Sequence, residues 1–159
     1  MATNDPSDGL HRQTYGFLVV GSVSAAGEAD GMTANWGTQV SFEPRLYAIA
    51  IEAGAHTRAN IEATRVFSIS FMPGGTQDLA LHFAKRSTSG SRLAGQAVSY
   101  FETGAPVLDR AVGWIECRVV ASHEAGDHVL FIGEVVGGGA GPGDGEPTAL
   151  AGIGLSYAG

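Results

Sequence analysis

Apolar and polar residues alternate in short runs along most of the chain, the period-two signature of strands that bury one face. Residues 15–25 (YGFLVVGSVSA) predict a first strand, residues 27–31 a turn through Asp30-Gly31, and residues 32–42 (MTANWGTQVSF) a second strand. Pro44 ends it, because proline has no N–H to give to a ladder. Residues 46–52 (LYAIAIE) place Tyr47, Ile49 and Ile51 on one face. In residues 66–71 (VFSISF), Phe67, Ile69 and Phe71 alternate with Ser68 and Ser70, so both runs read as half-buried strands. Residues 112–122 and 127–136 predict a long hairpin around residues 124–126. Ile115, Cys117, Val119 and Ala121 share one of its faces, and Trp114, Glu116 and Arg118 the other. Residues 149–157 (ALAGIGLSY) predict a last strand.

Two segments change period. Residues 57–64 (TRANIEAT) contain no glycine or proline and predict a short helix packing Ala59, Ile61 and Ala63. Residues 76–84 (TQDLALHFA) predict a second helix, capped by Thr76, with Leu79 and Phe83 on its buried face. Residues 85–96 are basic and rich in serine and glycine and read as a mobile loop; residues 137–147 (GGGAGPGDGEP) read as a flexible surface loop. Short strands divided by glycine-rich turns favour a mainly β fold, a closed antiparallel barrel with two or three short helices, over parallel α/β layers. Neither a repeat nor an internal boundary is visible, so residues 1–14 form an N-terminal extension and residues 15–159 a single domain.

Composition narrows the function. A length of 159 residues and 44% hydrophobic content allow a real core and exclude intrinsic disorder. Charged residues make up only 16% of the chain, against about 25% in an average soluble domain, which a homodimer with part of its surface covered would explain and a Gly- and Ala-rich monomer would explain as well. A net charge of -7 with nine basic residues leaves no basic face for nucleic acid. No apolar run approaches the roughly 18 to 20 residues needed to cross a bilayer, and the polar N-terminus carries no secretion pattern, so a cytoplasmic protein without membrane contact is expected. Cys117 is the single cysteine and reads as a small buried hydrophobe.

Several chemistries lack their residues. The five histidines share no metal-ligand spacing, so no metal site is expected. There is no serine nucleophile elbow, and no glycine-rich turn lies between a strand and a helix. The second strand is unusual instead. Thr33, Ala34, Gly37, Thr38 and Ser41 are small or hydroxylated, which lets a flat ligand approach the backbone while amides and hydroxyls stay available. His56-Thr57 at a helix start offers free amides to an anion, with Arg58, Lys85 and Arg86 as nearby charge. By residue type alone, Lys85-Arg86 equally suits the C-terminal end of a helix dipole, and His128 a plain turn.

The run GMTANWGTQVSFEP resembles the signature of the flavin reductase family, and other segments follow that family's order: YGFLVVGSVSA, LYAIAIE, His56-Thr57, VFSISF, Ala84-Lys85-Arg86, Glu116-Cys117-Arg118 and Gly126-Asp127-His128. The resemblance covers about residues 15–136. Arg45 stands where the family has a second proline. The family implies an FMN-binding split barrel of antiparallel Greek-key type, homodimeric, transferring hydride from NADH or NADPH to FMN or FAD and supplying reduced flavin to an oxygenase or other acceptor. It implies flavin contacts at Met32, Thr33, Ala34, Asn35, Trp36 and Ser41, and at His56, Thr57, Phe83, Lys85, Arg86 and Ser87. His128, oriented by Asp127, would lie near the nicotinamide. Two other readings stay open on the same barrel: an FMN-binding electron carrier without reductase activity, and a protein holding heme or a deazaflavin.

Overall fold

The computed structural model describes residues 4–86 and 91–156. A five-residue helix α1 (Pro6–Leu10), with no buried residue, precedes the strands β1 (Leu18–Val23), β2 (Ala29–Ala34), β3 (Gly37–Ser41) and β4 (Leu46–Glu52). Helix α2 (His56–Thr64), β5 (Val66–Phe71) and α3 (Gln77–Ala84) follow, then β6 (Val98–Tyr100), β7 (Pro106–Leu108), β8 (Gly113–Ala125) and β9 (His128–Ala140). Seven strands form one antiparallel sheet in the order β2-β1-β5-β8-β9-β4-β3, and β6 and β7 form a separate pair.

The predicted second strand is two strands. Ala34 at the end of β2 pairs with Leu18 of β1, whereas Gly37 at the start of β3 pairs with Ile49 of β4, at the opposite edge of the sheet. Asn35 and Trp36 alone carry the chain between those edges and curl the sheet into a barrel. Gly37 is glycine for this reason: a Cβ there would lie 2.6 Å from the Tyr47 hydroxyl and 2.9 Å from a Leu18 methyl.

The barrel interior holds Leu18, Val20, Tyr47, Ile49, Ile51, Phe67, Ile69, Cys117, Val119, Val129 and Phe131, and Ile61 of α2 plugs it. A second core lies outside β1 and β5, where Phe17, Val19, Met72, Leu79, Phe83, Leu108, Leu150 and Ile153 pack together. This layer corrects the half-buried reading of residues 66–71. Ser68 and Ser70 are buried, because Ser68 donates to the Pro106 carbonyl and Ser70 accepts from the Leu108 amide of β7.

Other expectations change in the same way. Residues 149–157 do not form a strand: Leu150–Ile153 is a 3-10 turn that buries Leu150 and Ile153, three apart on one side, and Tyr157 lies outside the described residues. The glycine loop begins later than expected, since residues 137–140 continue β9 against β8, with the Trp114 ring lying over Gly137 and Gly139. Ile115, Cys117 and Val119 of β8 face the barrel core as expected, and Glu116, on the opposite face beside Ser68 of β5, is buried by the residues leading into β7, accepting from the Glu102 and Thr103 amides and the Thr103 hydroxyl. Helix α2 buries Thr57, Asn60 and Ile61 rather than Ala59 and Ala63, because the Asn60 amide donates to Ser22 of β1. Thr76 makes no side-chain cap on α3; its hydroxyl donates to the Pro73 carbonyl. Leu79 and Phe83 do form the buried face of that helix.

Candidate active site

Where the chain crosses between the sheet edges, the barrel opens into a cleft of about 890 Å³. Met32, Thr33, Ala34, Asn35 and Trp36 line it, together with Ala50 and Glu52 of β4. The start of α2 forms one wall, with His56, Arg58 and Ala59; α3 forms the other, with Ala80, Leu81 and Ala84 leading into Lys85 and Arg86. Leu150 and Leu155 add an apolar margin beside Ser156, and His128 stands next to the turn of the β8–β9 hairpin.

The polar groups of the crossing are unequally engaged. The Thr33 hydroxyl donates to the Ala80 carbonyl at 2.8 Å, so its proton ties β2 to α3. Asn35 Nδ2 is buried and has no hydrogen-bond partner among the described residues. A buried amide left unpaired costs about 1–3 kcal/mol, and on the wall of a cleft such a donor is available to a ligand acceptor. Trp36 holds the corner through its carbonyl, which accepts from the Ala50 amide, and its ring lies 4.7 Å from that of His128. The Asp127 carboxylate, which can only accept, receives a hydrogen bond from His128 Nδ1–H at 2.6 Å and so holds the ring proton on Nδ1. That hydrogen bond holds the Asp127 carboxyl below its ordinary value of 3.8.

Cations gather at the far end. Arg58 pairs with Glu62 and Glu124, and Arg86 with Glu52. Arg92 is paired with Asp30 at 2.7 Å, both side chains nearly buried. Of the four lysine and arginine side chains lining the cleft, Lys85 alone makes no ion pair among the described residues. Helix α2 begins at His56 without a side-chain cap, so its first amides have no side-chain acceptor.

Nine of the site residues expected from the sequence therefore meet in one cleft: Met32, Thr33, Ala34, Asn35, Trp36, His56, Lys85, Arg86 and His128. Three do not reach it. Ser41 ends β3, beyond the break that sends that strand away along β4. Thr57 is buried behind the wall, accepting from Arg92 at 3.4 Å, and Phe83 lies in the second core beneath Gly31. Ser87 is outside the described residues. Sequence reasoning missed Arg92, which sits in the segment read as a mobile loop. Residues 91–93 are in fact held to β2: Ser91 donates to the Ala29 carbonyl, Arg92 engages Asp30, and Leu93 is buried.

A slot with one buried free donor, an aromatic corner and a cationic end fits a flat heterocycle that bears a phosphate. Comparison with known proteins agrees. The chain is 34% identical over 128 residues to an NADH-dependent flavin reductase of a Rhodococcus species, covering 79% of this chain and 70% of that one. The NADH:FAD oxidoreductase of Streptomyces globisporus C-1027 superposes with a TM-score of 0.79 at 30% identity, covering 89% of each chain. The flavin reductase component of a bacterial two-component tryptophan halogenase superposes at 0.74 with 26% identity, covering 82% of each. The flavin reductase like domain matches residues 10–157, and the chain belongs to that family.

Proposed function

We propose that this protein is an NAD(P)H-dependent flavin reductase that binds FMN in the cleft along residues 32–36 and delivers reduced flavin to a partner oxygenase or similar acceptor. The observation that carries the reading is the buried, unpartnered Asn35 amide on the wall of a cleft in this family's barrel. FMN suits the cleft because its single phosphate can meet Lys85, Arg86 and the start of α2 at one end. FAD is the alternative flavin, and either NADH or NADPH can serve as donor. The location is the cytoplasm, where nicotinamide nucleotide is at hand; no helix among the described residues is long and apolar enough to cross a membrane.

Bound flavin would supply the hydride-accepting ring. The protein's own work is placement. Asn35 donates to the ring edge, the Ala34–Trp36 backbone gives a flat support, and Lys85 with the α2 amides neutralises the phosphate. Trp36 and His128 stand against each other at the edge of the cleft and keep water from the reacting face, while Asp127 keeps the His128 proton on Nδ1. Hydride transfer needs proximity and dryness rather than a side-chain nucleophile.

The partner is a second copy of the chain. Leu130 and Ile132 alternate with buried Val129 and Phe131 on β9, and so point away from the barrel; with Val40 and Val120, each half exposed, they join neither core. A dimer would cover that face beside the cleft. Sedimentation at micromolar concentration should give twice the chain mass, and a monomer would refute it.

Anaerobic mixing tests the activity. Protein with FMN should bleach on addition of NADH or NADPH and turn over in air. Flavin that binds but is not bleached by either nucleotide would make the protein a carrier, and flavin that does not bind would remove the reading altogether.

A further inference from the structure

Arg92 makes more side-chain contacts than the pairing with Asp30 requires. Its Nε and Nη2 hold the Asp30 carboxylate in a fork, and the Arg92 backbone amide donates to the same carboxylate at 2.9 Å. Its Nη1 donates, at 3.1 Å in each case, to the carbonyls of Phe83 and Lys85, the last turn of α3 and the residue after it. Nη2 also reaches the Thr57 hydroxyl at the start of α2, at 3.4 Å. Behind it, His82 Nε2 donates to the Arg92 carbonyl at 2.6 Å. One guanidinium thus joins β2, the end of α3 and the start of α2, the three elements that frame the cationic end of the cleft.

The consequence falls on Lys85. Its carbonyl is held by Arg92, its backbone is extended as it leaves α3, and its ammonium is the one cleft cation with no carboxylate among the described residues. We propose that Arg92 is a positioning residue that fixes Lys85 and the first turn of α2 at the spacing a phosphate needs, and so sets the preference of the cleft for phosphorylated flavin over riboflavin. Its own charge is matched by Asp30, so it acts through what it holds. Lysine cannot replace it, since an ammonium has no planar fork to serve a carboxylate and two carbonyls together. The inference rests on the flavin reading of the cleft and adds to it the residue that decides phosphate recognition.

The test compares FMN with riboflavin, ligands that share the ring and differ in the phosphate, by quenching of flavin fluorescence on the flavin-free protein. Wild type should bind FMN more tightly. Arg92→Lys should weaken FMN about tenfold, as expected for losing well-placed charge-assisted hydrogen bonds, and leave riboflavin within about twofold. Combining it with Lys85→Ala should cost no more than the worse single change, because both act on one contact. Equal weakening of the two flavins would make Arg92 a purely structural tie and overturn the proposal, as would unchanged FMN binding or full additivity with Lys85→Ala. Should Arg92→Lys fail to fold, the pair Asp30→Asn with Arg92→Gln removes both buried charges together and is read by the same ratio. Wild type that binds both flavins equally would refute this inference and spare the proposed function; wild type that binds neither would end both.

Discussion

Replacing Asn35 by alanine should separate ligand binding from folding, because the flavin-free protein gains nothing from that side-chain donor. Asn35 Nδ2 is buried and unpartnered, a state that costs about 1–3 kcal/mol. Asn35→Ala removes this cost and loses a modest amount of packing, so stability should stay within about 1 kcal/mol of wild type or rise. Flavin affinity should fall by one hydrogen bond, about 0.5–1.5 kcal/mol, or roughly twofold to thirteenfold in Kd. Thr33, two residues earlier, should behave in the opposite way. Its hydroxyl donates to the Ala80 carbonyl, so Thr33→Val loses the hydrogen bond that ties β2 to α3 and should destabilise the protein by about 1 kcal/mol while flavin binding changes less. Urea denaturation of the flavin-free variants and fluorescence titration with FMN read the two quantities separately. If Asn35→Ala unfolds more easily by more than about 2 kcal/mol and still binds flavin as wild type does, the amide serves the fold and the site assignment is wrong.

Three further outcomes are expected. Gly21→Ala should destabilise by about 3 kcal/mol or more, because a Cβ there would sit 2.0 Å from the Pro106 carbonyl oxygen and force β7 off the barrel; a thermal midpoint equal to wild type would refute that contact. The Cys117 thiol is pushed up to about 12 from 9.0, chiefly by burial and secondarily by the charge of Glu116. The unfolded thiol ionises first, so its contribution to stability is complete below about pH 9 and declines as pH rises toward the folded value. Denaturation midpoints should fall over that window more steeply in wild type than in Cys117→Ala, and native protein should resist thiol reagents. The Asp127 carboxyl lies below 3.8, so its hold on His128 is complete above that pH and is lost only as pH falls through the lower folded value. Asp127→Asn and His128→Ala should both slow flavin reduction by NADH in stopped-flow at neutral pH more than they weaken FMN binding; unchanged rates in both would return the pair to a structural turn.

What the sequence could show was set by how locally each feature is determined. The alternating runs that became β1, β4, β5, β8 and β9 each carry their own period, and one buried face suffices to specify a strand. Burial of the second face is a different matter: Ser68 and Ser70 look like a solvent face until β7, thirty-eight residues on, arrives to bond them. The break at Asn35-Trp36 was hidden for a related reason. Both halves have strand character, and only closure of the barrel decides that they pair with opposite edges. Asp30 and Arg92, sixty-two residues apart, leave no mark on either local pattern, so a serine- and glycine-rich stretch that reads as mobile is pinned at Arg92 by a buried ion pair. The Thr-Ala-Asn run shows the limit most sharply. As types, Thr33 and Asn35 are equivalent ligand donors on one strand face, and a motif assigns both to the flavin. Which one is free depends on whether α3 presents a carbonyl within reach, and the Ala80 carbonyl takes Thr33 and leaves Asn35. A motif match therefore locates the cleft, while the partnering of each donor by distant elements decides which residue keeps a donor to offer a ligand.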